Sequence, residues 1–193
     1  IGTTNFSRFG FYSKVSMNIG GYILSFNDLE NGVLRGNRKA PYTLSLPFGS
    51  KDPRSELAVK KPDCRIHFGL NCGARSCPPV KFFSVSALSE ELRIVAQAFN
   101  EQDDNTQIDV ERRTLYLSSI LKWYGVDFAP TRDELPAAVV KYLRGSKQQA
   151  LQSLIDDGRK VNVKFLEYDW STNASDFVAF DASKLSANSG VLW

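Results

Sequence analysis

Two periodicities take turns along this chain. From Phe11 to Ile19 large apolar and small polar residues alternate at period two, Gly20-Gly21 turns the chain and Tyr22-Ile23-Leu24 follows, which predicts a β-hairpin. Ser25 to Gly36 reads as a short helix, with Ser25 or Asn27 as its cap, acidic residues in its first turn and Gly36 at its end. Prolines at positions 41, 47, 53 and 62 make Ala40 to Asp63 a long surface loop. Arg65 to Leu70 alternates again, placing Ile66, Phe68 and Leu70 on one side and Arg65 and His67 on the other, as in a half-buried strand. Asn71, Gly73 and Pro78-Pro79 then turn the chain into a tight loop that carries Cys72 and Cys77.

Beyond that loop the period lengthens. Leu88, Leu92, Val95, Ala96 and Phe99 recur at helical spacing behind Ser84 and Ser86, with Glu90, Glu91 and Arg93 on the opposite face. Gln107 to Val110 and Thr114 to Leu117 predict a hairpin, Ser118-Ser119 caps a short helix, and Glu134 to Leu143 and Ser146 to Asp157 predict two more helices. Trp123, Tyr124 and Trp170 are expected in the core. Val161 to Trp170 is strongly β-prone. Strands and helices mix without a regular βαβ rhythm, so the expected class is α+β, an antiparallel or mixed sheet with several packed helices.

Composition narrows the function classes. With 193 residues, 42% hydrophobic and 12% aromatic, the chain has the core of a single domain spanning 1–193, with a loose tail over 174–193. The 24 basic and 21 acidic residues are scattered, with no basic track for nucleic acid. Apolar stretches fall short of the roughly 20 residues of a membrane span, so the chain reads as soluble with no membrane partner, and a cytoplasmic location is the expectation. Ile at position 1 suggests a processed or truncated start.

Reactive side chains are concentrated in one place, because all three cysteines and the sole histidine lie between residues 64 and 77. A thiolate is favoured by a nearby imidazole or arginine and by free amides, so Cys72, with Cys77 as competitor and His67 as base, is a candidate nucleophile. If His67 shares the strand face away from the core, it should find a polar partner and have one of the two sulfurs close by. Other readings stay open: a purely structural cysteine loop, a Cys72-Cys77 redox disulfide, and zinc on Cys64, His67, Cys72 and Cys77, whose spacing lacks paired Cys-x-x-Cys arms. No metal or cofactor is assigned. Arg35, Arg38 and Arg75, with Asn71 and Ser76, are candidate ligand contacts for an unknown small molecule or protein partner.

Five blocks in order, Leu29 to Arg35, Arg65 to Gly73, Ser76 to Pro79, Leu117 to Tyr124 and Tyr168 to Ser171, resemble those of the domain of unknown function 547 family. The resemblance covers about residues 10 to 173, and the Arg-Ile-His-Phe and Ser-Cys-Pro-Pro blocks are its most distinctive parts. Its blocks supply Asp169 and Glu30 as candidates for the acid that orients the histidine. The Asn-x-Tyr-Asn-Ala helix that opens family members is not matched. Fusion of relatives to zipper or glutaredoxin-like modules implies, as the alternative to a cysteine-dependent hydrolase or acyl-transfer enzyme, an interaction or scaffold module.

Overall fold

The structure, a computed structural model, describes residues 5–172, with side chains from Gly10 onward; the tail expected over 174–193 lies outside the described residues. Helix α1 (Asn5–Lys14) leads into strands β1 (Ser16–Ile19) and β2 (Tyr22–Ser25), which form the expected hairpin. Phe11 to Lys14, expected as part of the first strand, belongs instead to α1, where Phe11 and Tyr12 pack against Phe26 at 5.7 Å. Their alternation reflects two aromatic contacts made from one helical turn.

Ser25 and Asp28 then cap each other, Asp28 N–H donating to Ser25 Oγ at 3.1 Å and Ser25 N–H to Asp28 Oδ2 at 3.0 Å. The helix they start is wound wide. Asp28–Leu34 is a π-helix, and Arg35 N–H and Asn37 N–H reach back to the carbonyls of Glu30 and Gly32. Gly32 makes room for this: a Cβ there would lie 2.4 Å from the ring of Phe48, one of the most buried side chains. The long loop after Arg38 is irregular as expected, apart from a short 3-10 turn at Pro53–Leu57.

Cys64–Phe68 corrects the expected strand, because it is a 3-10 helix. Asp63 caps it by accepting from Arg65 N–H at 3.0 Å, and the Arg65 guanidinium folds back onto the same carboxylate. This local ion pair competes with extended backbone, and the turn it favours aims His67 and Phe68 inward together.

Phe68 anchors the main core. Its ring meets Phe99 of α2 (Leu88–Glu101) at 5.2 Å, Phe128 of α4 (Gly125–Phe128) at 5.3 Å, and Tyr142 at 5.6 Å. Around it close α3 (Ser119–Trp123), α5 (Leu135–Val139), α6 (Gly145–Asp156) and a three-stranded sheet. Strands β3 (Thr106–Asp109) and β4 (Thr114–Leu117) pair antiparallel, and β5 (Asn162–Phe165) joins β4 in parallel. Several helices with one antiparallel and one mixed sheet make the fold α+β. Among the described residues no helix is long and apolar enough to cross a membrane.

Candidate functional site

The site gathers around Tyr124, whose ring or hydroxyl meets Glu30, Arg35 and His67. The wide winding of Asp28–Leu34 brings Asn31 and Arg35 together, and Arg35 Nη1 donates to Asn31 Oδ1 at 2.7 Å and to the Lys39 carbonyl at 2.8 Å. The rest of the same guanidinium grips Asp127 of α4, with Nε to Oδ2 at 2.5 Å and Nη2 to Oδ1 at 3.0 Å. Arg38 adds a contact to Oδ1 at 2.7 Å, and His67 Nε2 lies 2.8 Å from Oδ2. Both Arg35 and Asp127 side chains are almost wholly buried, 3% and 5% exposed.

Burial alone would raise the Asp127 carboxyl, but hydrogen bonds from His67, Arg35 and Arg38 outweigh it and hold the group well below the usual carboxylate range. An ionised carboxylate only accepts, so Nε2 of His67 carries the shared hydrogen, and in the neutral ring Nδ1 is the basic nitrogen. The His67 ring stacks on Tyr124 at 4.1 Å and tilts against Phe128 at 5.7 Å. Arg35 also lies over the Tyr124 ring, 4.9 Å from its centroid. The polar partner expected for His67 is therefore Asp127.

The cysteine loop is fixed by a separate clamp. Ala74 bridges Thr172, Arg75 N–H donates to the Ser171 carbonyl at 2.8 Å, Ser76 N–H to the Asp169 carbonyl at 3.2 Å, and Asp169 N–H to Ser76 Oγ at 2.9 Å. Asn71 closes the turn from inside, accepting from Gly73 N–H and donating to the Pro78 carbonyl. Within this frame the Cys77 thiol donates to Cys72 Sγ at 2.7 Å, Cys72 N–H points to Cys77 Sγ at 2.8 Å, and Tyr168 Oη lies 3.5 Å from Cys72 Sγ. The hydrogen bond to Cys72, with burial, pushes the Cys77 thiol up and keeps it protonated; burial does the same for the Tyr168 hydroxyl. The Cys77 thiol is therefore a donor to Cys72 Sγ, and the Tyr168 hydroxyl keeps a proton within reach of the same sulfur.

Cys72 opens onto a cleft of about 440 Å³ walled by Tyr12, Tyr42, Trp123, Tyr124 and Trp170, with Glu30 and Asn31 at one side. Glu30 accepts from Tyr124 Oη at 2.6 Å, and burial with that carboxylate raises the phenol. Of Trp123, Tyr124 and Trp170, all expected in the core, Tyr124 does pack against it while also walling the cleft, and the two tryptophans are half-buried cleft walls instead. They can serve there because Tyr168 packs edge-on to Trp123 at 4.8 Å and against Trp170 at 4.6 Å, fixing the rings from behind.

The structure thus brings Glu30 and Cys72 to one cleft, with Arg35, Arg38 and His67 gathered on Asp127 beside it. Asp169 lies elsewhere, half exposed, accepting from Ser171 N–H and 3.9 Å from the exposed Arg75. Arg75, Ser76 and Cys77 line a second hollow of about 370 Å³. Cys64 is apart, its sulfur 3.6 Å from Tyr142 Oη, and among the described residues no three His, Cys, Asp or Glu side chains gather to hold a metal ion.

Sequence reasoning missed Asp127 and Tyr168. Asp127 follows the Leu117-to-Tyr124 block by three residues and Tyr168 opens the Tyr168-to-Ser171 block, so nearness to or membership of a family block was the available signal for each.

No curated protein and no solved structure matches this chain. The family described as Protein of unknown function, DUF547, matches residues 2–99, a stretch from α1 to α2 that includes Glu30, Arg35, His67, Cys72 and Cys77 and more than half of the 193 residues; the chain belongs to that family.

Proposed function

We propose that the cleft is the substrate site of a cysteine-dependent acyl-transfer or hydrolytic enzyme, with Cys72 as nucleophile. The observation that supports this is the placement of Cys72 Sγ, which lines an aromatic cleft while accepting from the Cys77 thiol and lying 3.5 Å from the Tyr168 hydroxyl, a group able to donate to a thiolate there. Hydrogen bonds to a charged form favour that form, so the two donors favour the thiolate of Cys72. In the reaction the thiolate adds to an acyl carbon, the leaving group departs with the carbonyl electrons restored, and water or another acceptor then releases the acyl group from the thioester. The aromatic walls hold the apolar part of the substrate by area and stacking. The His67–Asp127 pair fixes the tautomer and orientation of the imidazole, and both it and Cys72 neighbour Tyr124.

The test uses p-nitrophenyl acetate as an activated acyl donor, followed by intact mass and peptide mapping. An acetyl group on Cys72, formed faster than on Cys64 and abolished in Cys72→Ser, is the expected result. Acetylation no faster than that of a free model thiol sinks the proposal.

One observation favours a second reading. His67 is 3% exposed and its polar contact is spent on Asp127. A fixed aromatic cleft with a carboxylate at its edge serves equally as a binding platform in an interaction module, in which Cys72→Ser would leave ligand-induced changes in tryptophan fluorescence intact.

A further inference from the structure

We propose that Cys72 and Cys77 form a redox-active dithiol, with Cys72 attacking a small-molecule disulfide through the aromatic cleft and Cys77 resolving the mixed disulfide. The inference rests on the reading of Cys72 as the nucleophile of that cleft and names how the same sulfur is regulated. Its basis is the sulfur pair itself, at 2.7 Å, about 0.7 Å beyond the disulfide bond length of about 2.05 Å. The pair is held by the loop clamp and not by chance proximity of two mobile side chains: Ala74, Arg75 and Ser76 are tied to residues 169–172, and Cys77 N–H is tied to the Ala74 carbonyl at 3.0 Å. Gly73, at φ +77°, lets the chain turn tightly enough between the two thiols.

The two sulfurs are not equivalent. Cys72 accepts from Cys77 and faces the cleft, whereas Cys77 donates and lines the hollow on the far side of the loop. Cys72 is therefore the sulfur placed to attack. It attacks one sulfur of the incoming disulfide, a new mixed disulfide forms, and one thiolate leaves. As Cys72 loses its charge, the hydrogen bond that held the proton on Cys77 is lost and burial alone still favours the thiol; its proton passes to the departing thiolate and its sulfur attacks that of Cys72, expelling the second thiolate. Two protein thiols are oxidised and one disulfide is reduced. The product ties up the nucleophile of the cleft, so oxidation turns acyl transfer off.

The pair stands apart from the third cysteine. Cys64 lies on the 3-10 helix against Tyr142 and has no thiol partner, which makes it an internal reference for unspecific oxidation.

The experiment equilibrates the full chain in buffers of reduced and oxidised glutathione, quenches in acid, blocks free thiols with N-ethylmaleimide, and maps the peptides. The expected result is an intramolecular Cys72–Cys77 disulfide in ratios that leave Cys64 free, with Cys77→Ser accumulating glutathione on Cys72. Oxidised protein should lose acetylation by p-nitrophenyl acetate and regain it with dithiothreitol. Free thiols at both positions, or oxidation no more selective than at Cys64, overturns the inference, and wild-type mapping alone decides this should Cys77→Ser fail to fold. If acetylation of Cys72 occurs without the disulfide, the redox inference falls and the acyl-transfer reading stands; if the disulfide forms without acetylation, the reverse holds.

Discussion

His67 Nε2 and Asp127 Oδ2 lie 2.8 Å apart, although sixty residues separate them and each sits on a helix of only four or five residues. The pair is held from both sides, because the carboxylate is already gripped by Arg35 and the imidazole already stacked on Tyr124. A geometry determined this many times over has no slack, and its removal should be felt as lost stability.

Asp127→Asn tests that directly. The amide keeps the shape but not the charge, so it leaves the Arg35 guanidinium buried without its counter-ion. Breaking a buried ion pair by removing one partner costs about 3–5 kcal/mol. Urea unfolding should show a loss of that order. A loss below about 1 kcal/mol would mean that the Arg35 guanidinium finds water or another partner once the carboxylate is gone, so that the pair is not a fixed point of the fold.

The same carboxylate sets an acid dependence. Its folded-state value is depressed from the ordinary 3.8, so its contribution is fully present above that value and is lost as pH falls through it toward the lower folded value. Asp52 and Asp63 are lowered too, by hydrogen bonds from Arg54 and Arg65, so acid weakening alone is not diagnostic. The useful measurement is the difference between wild type and Asp127→Asn. The stability gap between them should be largest near neutral pH and should narrow from about pH 5 downward. A gap that does not change with pH would show that protonation of Asp127 is uncoupled from folding.

Much of the fold was legible from periodicity, because the long helix α2 and the hairpin β3–β4 bury apolar residues at their own repeat. What misled was a local polar contact. The alternation from Arg65 to Leu70 satisfies a strand, yet the capping of Arg65 N–H by Asp63 selects a 3-10 turn. The cysteine loop was legible as a cluster, since its residues are adjacent in sequence. Asp127 and Tyr168 were not, because their roles depend on partners 60 and 96 residues away and no local spacing encodes such a contact.

Gly36 offers a test of the loop that holds Arg35 and Arg38 in place. It has φ +67°, and a Cβ there would meet the Val59 carbonyl at 2.7 Å and Pro62 at 2.8 Å. Gly36→Ala therefore adds a backbone clash to the left-handed penalty of about 1–2 kcal/mol for an L-residue. Gly158, at φ +73° with open space around it, carries the penalty without the clash. Gly36→Ala should lower the urea midpoint clearly more than Gly158→Ala does. Equal losses would show that the loop yields at no cost.

Tyr168→Phe examines the thiol without touching the loop. The substitution deletes one hydroxyl and keeps the ring that packs on Trp123 and Trp170, so the cleft walls stay in place. Net loss of one hydrogen bond should cost only about 1 kcal/mol of stability. Its effect on chemistry is larger in kind, because the hydroxyl is one of the two donors that favour the thiolate of Cys72. Iodoacetamide labelling of Cys72 should slow near neutral pH, and the pH at which labelling reaches half its limiting rate should move upward. Labelling of Cys64, which has Tyr142 and not Tyr168 as its neighbour, should stay as it was. A Cys72 profile unchanged by the loss of the hydroxyl would remove Tyr168 from the site and leave the reactivity of Cys72 to be set by the Cys77 thiol and the loop around it.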